Sequence, residues 1–185
     1  MIFFTADHHF GHKNIIKHCD RPFPNVEKMD EVMLENWNKV VSEKDTVYHL
    51  GDIFWYRKPE EVIPILGQLN GRIILIRGNH DKGNVNKFSD FYSEVYIYHK
   101  IRVDIGESTK KKIIMMHYPL ESWESKGSGS WHLHGHCHGM LRNIRNRHDV
   151  GVDTSFFAPI SLVGLIEIMK IRDRAFKEDK KKWEK

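Results

Sequence analysis

Short apolar runs alternate along this chain with stretches whose apolar residues recur at helical spacing. Ile2–Ala6 reads as a buried strand that begins almost at the first residue. Asn25 is suited to cap a helix carrying Val26, Met29, Val32, Met33, Trp37, Val40 and Val41 on one face. Thr46–Leu50 is a second strand, and a helix over Pro59–Leu69 opens with Pro-Glu-Glu, favourable chemistry for a first turn. Arg72–Arg77 encloses Ile-Ile-Leu-Ile, a run that fits a strand buried on both faces. Further strands are expected at Val95–Tyr98, Lys100–Ile105, Lys112–Met116, Trp131–Gly135 and Val150–Val152. A turn at Gly106-Glu107-Ser108 joins the second and third of these, and a last helix starts near Ser161. Ser125–Ser130, rich in Gly and Ser, reads as a mobile loop within the domain. The alternation predicts an α/β fold, with one domain over residues 1–172 and a charged tail over 173–185.

The polar residues fall just past the strand ends. Asp7 and His9 follow the first strand, Gly51-Asp52 the second, and Gly78-Asn79-His80-Asp81 the third. His117 follows Ile113–Met116, and Gly135-His136-Cys137-His138 closes Trp131–Gly135. In α/β sheets the loops at the carboxyl ends of strands converge on one crevice, which would pool these groups. Carboxylate oxygen, amide oxygen and imidazole nitrogen suit two divalent ions of intermediate hardness, manganese first, with iron, nickel or zinc also suited. Two such ions about 3.5–4 Å apart can share a carboxylate and clamp the attacking and leaving oxygens at phosphorus. Glycine before Asp52, Asn79 and His136 lets the backbone turn sharply and the substrate come close.

The ordered set Asp-x-His, Gly-Asp, Gly-Asn-His-Asp, a lone His after an apolar strand, and Gly-His-x-His resembles the calcineurin-like metallophosphoesterase superfamily, in particular its small bacterial, archaeal and phage members. The resemblance spans Asp7 to His138 and implies a four-layer α/β/β/α sandwich of two mixed sheets flanked by helices. It implies that Asp7, His9 and His138 hold one metal, that Asn79, His117 and His136 hold the other, and that Asp52 bridges both. His80 would be the non-ligand histidine that faces the leaving group. The implied reaction is in-line attack by a metal-bridging hydroxide on a small phosphoester, with a nucleotide-like phosphodiester favoured. A phosphomonoester at the same site, or a non-catalytic scaffold on the same fold, are the alternatives. Asp149-Val150-Gly151-Val152-Asp153 also looks like an Asn-Val-Gly-Val-Asp run of some members.

Departures narrow the class. Protein Ser/Thr phosphatases of the superfamily carry Asp and Arg three and four residues after the metal Asp, where this chain has Trp55 and Tyr56. Asp7-His8-His9 spells the signature of the Asp-His-His phosphoesterases, but that family's other motifs are missing. Among the remaining polar residues, His12, His134, Asp81 and Arg77 are candidates for touching substrate or supporting the ligands, with Asp81 or a backbone carbonyl orienting His80. Arg57 and Arg72 are further candidates for an anionic group. Against these stand plainer readings: His49 as a core or supporting histidine, and His18, His99 and His148 at the surface. Cys137 would turn away from its neighbours in an extended segment. The aromatics at Phe54-Trp55, Trp123 and Phe156-Phe157 read as core, with stacking on a nucleobase as the alternative.

Composition then adds three things. Thirteen histidines in 185 residues is an excess that the pooled loops partly absorb. The formal charge of +4 sits in Lys170–Lys185, with eight basic and four acidic residues, so the neutral body makes no strong case for nucleic acid as a partner. Two cysteines build no disulfide framework, and no run is long and apolar enough for a signal peptide or membrane span, so a cytoplasmic location without membrane contact is expected. Oligomeric state leaves no mark on the sequence.

Overall fold

The computed structural model describes every residue except 57, 84, 107, 109, 143, 184 and 185, and the backbone alone for 179–183. Two mixed sheets stack face to face. The first has the order β4-β3-β2-β1-β9, where β1 is Ile2–Thr5, β2 Thr46–His49, β3 Arg72–Ile76, β4 Glu94–Tyr96 and β9 Ile160–Ser161. Strands β1 to β4 are parallel, and β9 runs antiparallel to β1. The second sheet has the order β5-β6-β7-β8, with β5 Tyr98–Val103, β6 Lys111–Met116, β7 Trp131–His134 and β8 Arg147–Asp149. In it β6, β7 and β8 are parallel and β5 is antiparallel.

Strand alternation divides the apolar residues between two cores. Phe4, Tyr48, Leu50, Ile74 and Ile76 meet Val103, Ile113, Met115, Trp131 and Leu133 between the sheets. Phe3, Val47, Ile73 and Leu75 face the other way, against Met29, Met33 and Trp37 of α2 (Val26–Val40) and Val62 and Leu66 of α3 (Pro59–Leu66). The Asn25 side chain accepts a 2.8 Å bond from the Lys28 amide and caps α2 as expected. The short α1 (Ile15–His18) leads into α2, and α4 (Leu162–Trp183) adds Leu165 and Met169 to the core between the sheets. The α/β sandwich expected from the sequence is thus present. Among the described residues no helix is long and apolar enough to cross a membrane.

Three local expectations are corrected. The strand expected at Val150–Val152 lies upstream at Arg147–Asp149. Val150 and Val152 are apolar because they cross between the sheets: the Val150 amide donates to His134 O and the Val152 amide to Ala6 O, before a 3-10 turn over Val152–Thr154. That shift carries His148, expected at the surface, into the ladder opposite Leu133, where it is buried. The Ser125–Ser130 segment is tied down rather than loose, for Trp123 Nε1 donates to Ser130 Oγ and that hydroxyl donates to Glu124 O. Of the expected 106–108 turn, Glu107 lies outside the described residues.

Because β1, β2 and β3 are parallel to one another, as are β6, β7 and β8, the loops after them open on one edge of the sandwich. A bridge between Ala6 and Gly151 joins the two sheets at that edge. The site is built there.

Candidate metal centre

The Asp7, His9 and His138 ligand atoms lie within 4.8 Å of one another, and so do those of Asp52, His117 and His136. The two groups meet at Asp52. Its Oδ2 is 3.4 Å from His117 Nε2, 3.7 Å from His9 Nε2 and 3.9 Å from His80 Nε2, while its Oδ1 accepts the His80 amide at 2.9 Å. Asn79 Oδ1 joins the second group, 3.0 Å from His117 Nε2. All eight residues singled out for the centre and its acid therefore converge on one pocket.

Local backbone geometry explains how they fit. Asp7, His9, Asp52, His136 and His138 all hold positive φ, between 48° and 69°. Such conformations cost free energy in non-glycine residues and persist only where surroundings over-determine them. Here the Asp7 amide donates to Gly51 O, the His9 amide to Asp52 O and the His136 amide to Asp7 Oδ2. Glycine is needed where carboxylates press in: a Cβ at Gly78 would collide with Asp52 Oδ1, and one at Gly135 would sit 2.5 Å from Asp7 Oδ2. These two glycines make room for the protein's own carboxylates, a different reason from the substrate access expected.

The donor set fits a pair of divalent ions. Asp7 Oδ1 and both ring nitrogens of His9 are buried with no hydrogen-bond partner, an expensive state unless a cation meets them. His117 Nδ1 donates to Leu50 O at 2.7 Å and His138 Nδ1 to Asp153 Oδ2 at 2.7 Å, so each ring turns its Nε2 inward. Burial pushes the Asp7 carboxyl up to about 7 against the pull of His117 and His138. Burial acts upward on Asp52 too, but the hydrogen bond and charge of His117 outweigh it and hold the group at about 2. For His117 and His138 burial works downward, yet hydrogen bonds to Asp52 and Asp153 and the Asp7 charge raise them to about 9 and about 10. His9 is lowered well below its ordinary value, first by burial.

The supporting residues include several the sequence reading passed over. Buried Arg21 grips both oxygens of Asp153, at 2.7 and 2.8 Å, and donates to Asp7 O and His8 O. Asp149 accepts the Gly139 and Gly151 amides, which orders the loop around His138. Cys19 lies within 4.8 Å of His138 and Asp153 and offers a thiol neighbour to that histidine. The Asp149–Asp153 run was the available signal for two of these; Arg21 and Cys19 carry none, because only the fold brings them in. His49 Nδ1 accepts the Gly51 amide, so its Nε2–H donates to His8 Nδ1 at 2.9 Å. His8 also meets the edge of Trp37, which connects the α2 core to the Asp7–His9 loop.

The remaining candidates are placed as follows. Asp81 is buried, and its carboxylate accepts the amides of Asp52, Ile53 and Gly78, so it braces the Asp52 loop rather than orienting His80. His12 stacks on Trp55 with centroids 3.8 Å apart. His134 faces the outer side of its sheet, its Nδ1 bonded to Gly135 O. Strand parity does not carry it to His136 because positive φ at His136 breaks the strand. Cys137 donates its amide to Gly135 O, so the segment is a tight turn and not extended. Arg77 lines a surface hollow with Val95, Tyr96, Ile97 and Tyr98, and Arg72 reaches Glu94 at 3.9 Å. Arg57 lies outside the described residues.

Comparison with known proteins gives the chain its family. An uncharacterized protein of Methanocaldococcus jannaschii is 36% identical over 177 residues, covering 91% of each chain. The gene 66 protein of Mycobacterium phage L5 is 29% identical over 180 residues, covering 81% of this chain and 85% of its own. A crystal structure of a protein of unknown function from Aquifex aeolicus, 28% identical, has a TM-score of 0.71 over 91% of this chain and 98% of that one. A family model for calcineurin-like phosphoesterases, which bind a dinuclear divalent centre, matches residues 1–159. The chain belongs to the calcineurin-like phosphoesterase family of metal-dependent phosphoric ester hydrolases.

Proposed function

We propose that this protein hydrolyses a small, nucleotide-like phosphodiester at a dinuclear centre. In this reading Asp7, His9 and His138 hold one ion, Asn79, His117 and His136 hold the other, and Asp52 spans both. The observation that carries it is the pair of donor groups meeting at Asp52 Oδ2, with Asp7 Oδ1 and His9 buried and unpartnered beside it. When bound, the two ions supply positive charge to the phosphate oxygens and lower the pKa of water near neutral pH.

The protein's own groups do the rest. His80 is 36% exposed at the mouth, and its amide is fixed on Asp52 Oδ1. In this reading it gives a proton to the departing ester oxygen. In the balanced step a water oxygen forms the new bond to phosphorus, the ester oxygen leaves with its electron pair and takes the His80 proton, and the water's proton passes to solvent. A diester is favoured over a monoester because a terminal dianion calls for an added cation. Of the candidate arginines among the described residues, Arg21 is committed to Asp153, Arg72 reaches Glu94 and Arg77 lines the hollow beside β4. We further assign manganese as the working metal and a cytoplasmic location, with no membrane partner and no strong case for nucleic acid.

A matched assay tests the reading: bis- and mono-(4-nitrophenyl) phosphate with manganese, nickel, zinc or chelator. Faster diester turnover that chelation abolishes is expected. Activity that survives thorough chelation defeats the dinuclear centre, and a faster monoester defeats the diester preference.

A further inference from the structure

We propose that Trp55 forms a stacking subsite for a nucleobase carried on the leaving group, beside the histidine that protonates that group. The inference rests on the phosphodiesterase reading above and names the chemistry of its substrate.

Trp55 follows Phe54, which is buried in the α2 core, and its own amide donates to Phe10 O at 2.8 Å. The backbone is therefore fixed while the alternating side chain turns outward. Trp37, Trp123 and Trp131 are at most 7% exposed, whereas Trp55 is 37% exposed. The Trp55 indole is thus packed over part of its surface and open to solvent over the rest, unlike those three.

Two histidine rings frame it. His12 lies against the indole with an interplanar angle of 6°, and the His12 amide is held by His9 O. The platform is thus braced from the first metal loop, which reduces the ordering cost of binding. The His80 ring also lies near the indole, 5.0 Å away and tilted by 56°. An ester oxygen within reach of His80 accordingly directs its substituent along Trp55. The part of the indole that stays exposed is aromatic, and every base has a π face to set against it.

Isothermal titration of the manganese-loaded protein with adenosine 5′-monophosphate and methyl β-ribofuranoside 5-phosphate isolates the base, since the two probes otherwise differ only in the methoxy group that stands in its place. Wild-type protein should bind the nucleotide about tenfold more tightly. Trp55→Ala should bring the ratio near one, and Trp55→Phe should keep most of it. A wild-type ratio near one, an unchanged ratio in Trp55→Ala, or no binding of either probe would overturn the subsite. Hydrolysis of bis(4-nitrophenyl) phosphate by the same preparation reports on the phosphoesterase reading separately. A base-dependent ratio without turnover would count against that reading and for the subsite.

Discussion

The two halves of the proposed centre contrast in how firmly the protein holds them. In the first, Asp7 and His9 are at most 2% exposed, and His138 is bonded to Asp153, itself gripped by Arg21. In the second, His117 is buried and braced on Leu50 O, but Asn79 is half-buried and His136 is exposed, its ring touched by the edge of Tyr118. Preorganised ligands bind a cation with less ordering cost than mobile ones. The first half should therefore fill at lower metal concentration and empty last under chelation. Asp52 belongs to both, so its loss tests whether they form one centre.

Asp52→Asn is expected to have the largest effect. Removing the shared charge should lower metal occupancy in both halves and cut diester turnover by about 10³-fold, the equivalent of about 4 kcal/mol of charge stabilisation. Metal analysis of the purified variant beside its kinetics checks this. A variant that still carries two ions per chain would refute the bridging role.

Asp153→Asn separates the halves. The amide keeps the shape but weakens the hold on His138 and on Arg21, and comparable supporting contacts are worth about 10–100-fold in metal affinity. That loss should appear in the first, tighter binding phase by calorimetry, with the second phase little changed. Asn79→Ala should do the reverse, leaving one ion per chain. Equal losses in both phases from either variant would dissolve the distinction between a firm and an open half.

How much of this was legible in the sequence follows the same division. The proposed ligands Asp7, Asp52 and His117 announce themselves, because metal chemistry restricts residue type and parallel strands deliver their loops to one edge. The groups that make the first half firm do not. Arg21 lies far from Asp153 in the chain, and their pairing exists only after the Asp7 loop, the α1 exit and the turn after β8 have packed together. Gly78 and Gly135 stand out in the sequence as points of substrate access, but the carboxylates they make room for are visible only in space. Fold elements were read correctly where an apolar face repeated, as in α2. They failed at β8, where polar Arg147, His148 and Asp149 pair with β7 and the apolar valines are the crossing. Strand parity failed at His136 for a related reason, since a left-handed residue resets which way the next side chain points.

The mildest test concerns protons, and it refines the contrast. Each half holds one imidazole raised by carboxylates, His138 to about 10 and His117 to about 9, and one lowered by burial, His9 and His136. A cation must displace the proton from each raised ring, so metal affinity should rise with pH, about tenfold per unit for each proton displaced. The carboxylates break the symmetry. Burial holds Asp7 at about 7, so below that pH the first half must release a second proton, whereas Asp52 at about 2 stays ionised. The first binding phase should then steepen to about a hundredfold per unit below pH 7, while the second keeps one slope throughout. The metal-free protein follows the opposite sign: the His117 and His138 pairs stabilise it below their ordinary pKa, and that stabilisation fades as pH rises through about 9 and about 10. Calorimetry in buffers of different ionisation enthalpy counts the released protons. Identical counts for both phases at pH 6 would mean that burial of Asp7 does not distinguish the two halves.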